Sequence, residues 1–344
     1  MNEPILSIVI ISHNQRELLR RCIESVLQQR TDFPVEVIVS DDRSDDGTRE
    51  MLLGEYGSRV VSTFCNSDEC NPAITLERAS FNRLNGLKKA TGKYLIHIDG
   101  DDFFTSTDLF QSMVDTLEAH PECTMCCQNF AWVDEDKLDE PYIPFNTSDL
   151  LKQDGIISGA ELCTKLGFVH NSCFCCRRSR SWAQEDLDGM PYDDCTITAR
   201  YLENGKVAVL NRCDFVYVQY PESSFTSVSE EDKRILFQPG ILRIKIIPSQ
   251  AGVLLRANVG IISFIAGKAI RGAHIPEMYV KHFNKMNLFL YGHLSNDISL
   301  KDKIRYFVIN KLSMFLQWSN SESKFLYRML YRLAIGKLTN NVTI

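Results

Sequence analysis

The chain has 344 residues, of which 44% are hydrophobic and 24% are charged. This leaves room for one large domain with an appendage or for two domains, with ample material for a core. The longest uncharged apolar segment, residues 257–267, is about half as long as a membrane-spanning helix needs to be. We therefore expect no transmembrane helix. The amino terminus has no basic start, so we expect no signal peptide and a cytoplasmic protein.

The net charge of −6 conceals a division of the chain. Residues 233–344 contain 17 Lys and Arg against four Asp and Glu, a net charge of +13. Residues 1–232 contain 21 Lys and Arg against 40 Asp and Glu, a net charge of −19. Such asymmetry predicts two parts with different partners, a domain over 1–232 and a basic, helical C-terminal region over 233–344. The acidic domain would repel a phosphate backbone, so we expect no nucleic-acid partner.

Strand-like and helix-like segments alternate from the start of the chain. Apolar runs predict strands over 6–11, 35–39, 59–64, 94–99, 124–133, 173–177, 206–210 and 214–219. Helical spacing predicts helices over 17–28, 48–56, 76–90, 108–120 and 158–166, and from Asp193 to about Asn204. Residues 134–154 are polar and predict a surface excursion. The alternation indicates an α/β class protein, with right-handed βαβ units around a mostly parallel sheet flanked by helices.

Two acidic loops follow predicted strands. The first follows residues 35–39, and the second places Asp99, Asp101 and Asp102 directly after an apolar run. Open α/β sheets bind ligands at the carboxyl ends of their strands. Clustered carboxylates repel one another unless a cation lies among them, and their hard oxygen atoms suit Mg²⁺ or Mn²⁺. The alternative interpretation is a solvated acidic turn that begins the next helix.

The chain contains twelve cysteines, and without an export signal we expect reduced thiols. Two groups of three lie in strand-like apolar runs, where side chains alternate between opposite faces. We expect them to be buried and to act as small hydrophobic residues. A structural zinc site is the lesser alternative, because ordinary finger spacing is missing from the sequence. The groups are Cys123, Cys126 and Cys127, and Cys173, Cys175 and Cys176.

Four segments in order resemble the inverting glycosyltransferases of family 2, which have the GT-A (Rossmann-like) fold. They read SIVIISHN, VIVSDDRSDDGT, YLIHIDGDD and DDCTITARYLENG, and the resemblance covers residues 5–225. It implies a metal-dependent enzyme that moves a sugar from a UDP-sugar to a carbohydrate acceptor. Many members build bacterial surface polysaccharides such as O-antigen or capsule on a lipid diphosphate, which implies a lipid-linked acceptor.

The resemblance also implies roles for individual residues. It places Asp41 against the nucleobase, with Ser12 and its neighbours closing over the base. It places Asp99 at the ribose and makes Asp101 the metal ligand, with Asp102 nearby. Arg83 is a weaker candidate, for the diphosphate side.

Catalysis requires a general base to take the proton of the attacking hydroxyl. The family uses the second member of an acidic pair, which here is Asp193-Asp194, with Asp in place of the more usual Glu at the first position. Asp194 could instead only cap its helix. Tyr220 stands where the family commonly has histidine. His170 lines the acceptor site or is a core histidine, and we favour the core.

Two other kinds of protein fit part of the pattern. A nucleotidyltransferase also places acids at strand ends, but it usually needs a Gly-rich basic loop, which residues 12–15 lack. A non-catalytic module that binds nucleotide-sugars is the second alternative. The basic region predicts peripheral attachment to an anionic membrane surface, or else a subunit interface in a homo-oligomer.

Overall fold

The computed structural model describes residues 3–65, 75–162, 169–178 and 205–220. The chain divides into two units, Met1–Val228 and Ser229–Ile344, and every described residue belongs to the first. The basic C-terminal region lies outside the described residues, so the division predicted at residues 232 and 233 stays a prediction. Within the described ranges, every helix is too short or too polar to span a bilayer.

The described strands form two sheets. A large sheet has eight strands in the order β3-β2-β1-β4-β9-β6-β10-β8, and a small sheet has the order β5-β11-β7. The strands are β1 (Leu6–Ser12), β2 (Val35–Asp41), β3 (Val61–Phe64), β4 (Tyr94–Asp99), β5 (Phe103–Phe104), β6 (Cys123–Cys127), β7 (Phe130–Asp134), β8 (Gly155–Ser158), β9 (Phe174–Arg177), β10 (Lys206–Val209) and β11 (Phe215–Gln219).

Helices connect the strands of the first half. They are α1 (Arg16–Leu27), α2 (Thr48–Gly54), α3 (Thr75–Leu87), α4 (Leu109–Ala119) and the single turn α5 (Gly159–Glu161). Among the described residues, three 3₁₀ turns cover Glu135–Lys137, Asp149–Leu151 and Asn171–Cys173. In α1 the buried residues recur at helical spacing, as Leu19, Cys22, Ile23 and Val26 show. One apolar stripe per helix is the pattern by which a helix packs onto a sheet.

The centre of the large sheet is parallel and buried. Every residue of β1 is buried, and β1 pairs in parallel with β2 on one side and β4 on the other. Strands buried on both faces read as continuous apolar runs, which is why the sequence predicted them well. The predicted fold class, α/β with a mostly parallel sheet flanked by helices, is confirmed.

A buried polar contact fixes where β4 begins. Ser7 Oγ donates to Glu36 Oε1 at 2.6 Å and accepts from the amide of Gly92 at 2.8 Å. The amide of Thr91 donates to the same Glu36 oxygen at 2.6 Å. These bonds tie the entry of β4 to β1 and β2, and they satisfy groups that would otherwise be buried without partners.

The structure corrects the predicted strand over residues 124–133. It is two strands, β6 in the large sheet and β7 in the small one, separated by Gln128 and Asn129. The amide of Gln128 donates to the Cys173 carbonyl and the amide of Asn129 donates to the Arg212 carbonyl. These bonds take the backbone out of one sheet and into the other, a change that a continuous apolar run does not reveal.

Other differences concern strand direction and short strands. β9 lies between β4 and β6 and is antiparallel to both, and β8 is antiparallel to β10. The predicted polar excursion over 134–154 contains the two short 3₁₀ turns and ends at β8, which the sequence did not indicate. β5 has two residues, too few to give a periodic signal.

The two cysteine groups are buried, as predicted. Their thiols lie in or next to β6 and β9 and are free of disulfide bonds. Burial raises the pKa of the Cys127 thiol to about 12 and raises that of Cys126 well above its usual value. They therefore stay protonated and pack as small apolar groups.

We predict opposite effects for two glycine-to-alanine changes. A Cβ on Gly92 would lie 2.8 Å from the Ser7 amide nitrogen and 2.9 Å from the Leu6 carbonyl carbon, backbone atoms of β1 that cannot give way. Gly92→Ala should lower the free energy of unfolding by about 1–3 kcal/mol. A Cβ on Gly54 would meet nothing within 4 Å, so Gly54→Ala should raise stability by up to about 1 kcal/mol. Urea unfolding measures both, and equal effects would contradict the packing account.

Candidate active site

Strand register brings three predicted site residues to one edge of the sheet. Ser12 is the register partner of Asp41 across β1 and β2, and Ile11 is the partner of Asp99 across β1 and β4. The Asp42 amide donates to the Ser12 carbonyl at 2.9 Å, and the Gly100 amide donates to the Ile11 carbonyl at 2.9 Å. Ser12, Asp41 and Asp99 therefore meet at the carboxyl ends of adjacent strands, where ligands of open α/β sheets bind.

The Asp41 side chain is 2% exposed and turns back on its own loop. Its Oδ2 accepts from the Ser44 amide at 3.0 Å, and its Oδ1 accepts from the Ser44 hydroxyl. Burial raises the pKa of Asp41, although the bonds from Ser44 act against the rise. Asp41 thus shapes the loop after β2. The predicted nucleobase contact would use the remaining acceptor capacity of its oxygens.

Arg78 was not predicted as a site residue, yet it contacts this loop. Its Nε donates to Asp42 Oδ2 at 2.7 Å, and its Nη2 lies 3.0 Å from His13 Nε2. Asp42 also accepts from Arg43 at 3.1 Å. The first acidic loop is therefore partly neutralised by two arginines. No sequence motif identifies Arg78 as a site residue, because it reaches the loop after β2 only through the tertiary packing of α3.

The second acidic loop is a tight turn after β4. The Asp102 amide donates to the Asp99 carbonyl at 3.1 Å. A Cβ on Gly100 would lie 2.7 Å from the Ile11 carbonyl oxygen, so glycine allows the turn to lie against the end of β1. The turn places the carboxylates of Asp99, Asp101 and Asp102 beside one another.

Asp101 is half-buried and held by two side chains. Its Oδ2 accepts from the Tyr220 hydroxyl at 2.9 Å and from Gln15 Nε2 at 3.2 Å. Gln15 was not predicted, although it follows the Ser12-His13-Asn14 strand end directly. Burial and the neighbouring Asp99 charge raise the pKa of Asp101 to about 6. A nearby cation would reverse that rise, since it favours the ionised carboxylate.

Asp102 is fully buried. Its Oδ1 accepts from the Val218 amide at 3.0 Å, which connects the acidic turn to β11. Its Oδ2 accepts no hydrogen bond from the described residues. Burial, with the charges of Asp101 and Asp99, raises the pKa of Asp102 well above its usual range. A buried carboxylate oxygen without a donor is the chemistry that a cation would satisfy.

Asp99 joins this cluster to two further side chains. Arg83 Nη2 donates to Asp99 Oδ1 at 2.7 Å, so the predicted diphosphate residue is paired with the predicted ribose residue. His170 Nε2 lies 3.9 Å from Asp99 Oδ2. His170 is 4% exposed, stacks on Phe215, and accepts from the Ser172 amide through Nδ1. It is thus a buried histidine, as we favoured, and it also borders the acidic cluster.

The donor set fits a divalent cation. One ligand atom each from Asp99, Asp102 and His170 lies within 4.8 Å of the others. Carboxylate oxygens are the ligands that Mg²⁺ and Mn²⁺ prefer. The predicted ligands were Asp101 and Asp102, and only Asp102 is in this group. The assignment to Asp101 stays a prediction.

The predicted base lies outside the described residues. Asp193 and Asp194 fall in the range 179–204, so no distance relates them to the acidic turn. The predicted helix over 158–166 is described only to residue 162.

Acidic strand ends on a mainly parallel, eight-stranded sheet define an α/β protein with a candidate ligand site at the carboxyl edge of that sheet. The sequence profile described as "Glycosyl transferase family 2" matches residues 7–183, just over half of the chain. The chain therefore belongs to glycosyltransferase family 2. The resemblance in the sequence is confirmed.

Several relatives share part of the sequence. An uncharacterized protein of Mycobacterium tuberculosis is 28% identical over 232 residues, which cover 67% of this chain and 63% of the relative. The chain thus spans less than two thirds of that relative's length. A GalNAc(5)-diNAcBac-PP-undecaprenol beta-1,3-glucosyltransferase of Campylobacter jejuni is 29% identical over 119 residues, 34% of this chain and 36% of the relative.

A solved structure shares the fold. The crystal structure of S. aureus TarS 1–349 in complex with UDP-GlcNAc superposes with a TM-score of 0.55 and covers 91% of this chain and 89% of that chain. The two sequences are 14% identical, so the likeness concerns the fold alone.

We predict that Asp101→Asn stabilises the metal-free protein at neutral pH. The folded-state pKa of about 6 exceeds the unfolded value of about 3.9, so the folded chain retains a proton that the unfolded chain has lost. Stability due to this group is present below pH 4, falls as the pH rises to 6, and stays lower above that. Asparagine never ionises. The free energy of unfolding of the variant should exceed that of the wild type by about 1–3 kcal/mol at pH 7.5 and should equal it below pH 4.

Denaturant unfolding in the presence of EDTA measures this gain at both pH values. The matched control is Asp134→Asn, which removes an exposed carboxylate paired with Lys137 and should change stability by less than about 0.5 kcal/mol. If the Asp101→Asn variant is no more stable than the wild type at pH 7.5, the folded surroundings do not disfavour the ionised Asp101 carboxylate.

Proposed function

We propose that the protein transfers a sugar, with inversion at the anomeric carbon, from a UDP-sugar to a carbohydrate acceptor. The observation that carries the proposal is the meeting of Ser12, Asp41 and the acidic turn at the carboxyl edge of β1, β2 and β4. Family membership supports the reaction class, and the UDP-GlcNAc complex of TarS, a protein of the same fold, supports the donor class.

The donor site has parts suited to a nucleoside diphosphate sugar. Buried Ser12 and Asp41 offer polar oxygens to the base, and Asp99 offers acceptors to ribose hydroxyls. We propose that Asp101 and Asp102 hold a Mn²⁺ or Mg²⁺ ion, with Asp99 as a further available donor. Such an ion neutralises negative charge on the leaving nucleoside diphosphate. Arg83 adds a positive charge beside Asp99 and could reach the diphosphate.

The acceptor hydroxyl requires a base, and we propose Asp194 with Asp193 beside it. This assignment rests on the resemblance of the segment that begins at Asp193. For the acceptor we propose a lipid-linked carbohydrate in bacterial surface polysaccharide synthesis. The support is the name of the Campylobacter jejuni relative, which acts on an undecaprenol diphosphate glycan.

A panel of nucleotide-sugars tests the reaction. The full chain is incubated with each donor and Mn²⁺, and free nucleoside diphosphate is measured. One UDP-sugar should be hydrolysed slowly in preference to the others, because water replaces the missing acceptor. Pyrophosphate released from a nucleoside triphosphate would support the nucleotidyltransferase. Donor binding without turnover in the presence of acceptor glycans would support the non-catalytic module.

We predict that substitutions separate donor binding from proton transfer. Asp101→Ala should weaken UDP-sugar binding and abolish its dependence on metal. Asp194→Asn should keep donor binding while the transfer rate falls by about 10²-fold or more, the usual effect of losing a general base. Calorimetry and steady-state kinetics measure the two effects. Near-normal turnover by Asp194→Asn would make Asp193 the candidate base.

The basic region gives a prediction about attachment. We propose that residues 233–344, with their net charge of +13, bind an anionic membrane surface from the cytoplasmic side. Each Lys or Arg near such a surface contributes about 1 kcal/mol, and salt screens the attraction. The full chain should float with anionic vesicles at low salt and less at high salt. A stable dimer by light scattering, with no flotation at low salt, would favour the subunit interface instead.

A further inference from the structure

Helix α1 contacts the backbone of the acidic turn through one of its faces. Arg21 Nη2 donates to the Asp101 carbonyl at 3.1 Å, and the Cys22 thiol lies 3.8 Å from the Asp99 carbonyl. The Ser25 hydroxyl accepts from the second amide of β5 at 3.1 Å. Residues three and four positions apart on a helix are neighbours on its surface, so these contacts share a face. The helix therefore holds the chain from the end of β4 to β5.

The guanidinium of Arg21 is partly withdrawn from water. Its central carbon lies 4.5 Å from the centre of the Phe103 ring, and its Nε is buried without a hydrogen-bond partner among the described residues. Arginine keeps its charge in proteins, so burying this nitrogen costs free energy. Its neighbour Arg20 avoids that cost by pairing with the exposed carboxylates of Glu17 and Glu55. The buried position of Arg21 therefore needs a compensating role.

The hydrogen bond from Arg21 fixes the peptide group between the two predicted metal ligands. The Asp101 carbonyl belongs to the peptide that joins Asp101 to Asp102, and rotation of that peptide would turn both side chains. Tyr220 donates to the carboxylate of Asp101, and the Val218 amide donates to the carboxylate of Asp102. With the carbonyl held as well, this peptide cannot rotate without breaking a hydrogen bond.

The charge of Arg21 has two opposed effects on a cation at the acidic turn. It favours ionised Asp102, because it opposes the rise that burial and the charges of Asp101 and Asp99 cause in the pKa of Asp102. It also repels a second positive charge directly. Holding the ligands in place favours cation binding, since the turn then loses little freedom when the ion arrives. The effect of removing Arg21 therefore shows whether position or charge dominates.

We propose that Arg21 is a positioning residue for the cation of the acidic turn, an inference that rests on the proposed function and its metal site. It acts through the peptide that joins Asp101 to Asp102. The benefit of fixed ligands exceeds the repulsion, because part of the guanidinium charge is balanced by the Asp101 carbonyl and the face of the Phe103 ring. Groups that orient metal ligands commonly affect metal affinity without touching the metal.

Electron paramagnetic resonance of Mn²⁺ tests the proposal on the full chain, with Mn²⁺ alone and with Mn²⁺ and UDP. The sharp signal of free Mn²⁺ weakens on binding, so it gives a dissociation constant without turnover. Arg21→Gln should raise that constant about tenfold or more, the usual effect of losing a group that orients metal ligands. Loss of a positive charge alone would lower it. Arg21→Lys keeps the charge and a donor but not the planar contact with Phe103, so it should recover part of the affinity.

The matched control is Arg20→Gln, which removes the same charge from the same helix and should leave the dissociation constant unchanged. Phe103→Leu is a second variant should Arg21→Gln unfold, and it should weaken Mn²⁺ binding by a smaller factor. Urea unfolding shows that each variant is folded. A purely structural role predicts lower stability with an unchanged dissociation constant, and a purely electrostatic role predicts tighter binding. Either result overturns the proposal, as does equal weakening in Arg20→Gln.

UDP-sugar hydrolysis, measured beside Mn²⁺ binding, separates this proposal from the proposed function. If the wild type hydrolyses a UDP-sugar and folded Arg21→Gln binds Mn²⁺ like the wild type, the positioning role is wrong and the enzyme stands. If Mn²⁺ binding weakens in Arg21→Gln but the wild type hydrolyses no UDP-sugar, the positioning role stands and the enzyme does not. A wild type that binds no Mn²⁺, alone or with UDP, overturns both the positioning role and the metal-dependent reaction.

Discussion

The electrostatic problem of the acidic turn connects most of the site. Asp99, Asp101 and Asp102 end a buried strand within four positions, and burial makes their mutual repulsion strong. The surrounding residues compensate for this repulsion only in part. Arg83 pairs with Asp99, Tyr220 and Gln15 donate to Asp101, and the Val218 amide donates to Asp102. The remaining imbalance appears as raised pKa values at Asp101 and Asp102. Raised pKa values mean that these carboxylates are costly to ionise in these surroundings, and a cation bound among them would lower that cost.

The fold makes that arrangement possible by anchoring the turn at several points. The hydrogen bonds among Ser7, Glu36 and Gly92 fix the start of β4, and the Gly100 amide fixes its end against β1. The small sheet then supports the turn from the other side, because β11 supplies the Val218 amide and leads to Tyr220. The segment 215–220 thus supports the acidic turn through two hydrogen bonds.

Sequence reasoning was most successful where one local signal decides the outcome. The continuous apolar runs of β1, β2 and β4 predicted buried strands, and the acids directly after them predicted a site at one sheet edge. It was least successful where partners come from distant positions. Arg78 contacts Asp42 across 36 positions, and Tyr220 contacts Asp101 across 119 positions. The split between β6 and β7 was missed because both strands are apolar and the turn at Gln128 and Asn129 is buried.

By itself the sequence determined the α/β class, the family, the acidic strand ends and the division of charge between the two parts of the chain. Each depends on residue type, order and spacing, which are local properties. Tertiary structure alone decided which carboxylate oxygen lacks a donor among the described residues, which carboxylate is held by Tyr220, and which aromatic rings pack against His170. The physical reason is that hydrogen-bond satisfaction and burial depend on groups far apart in the chain. Two neighbouring aspartates such as Asp101 and Asp102 look alike in sequence and differ only in what surrounds them.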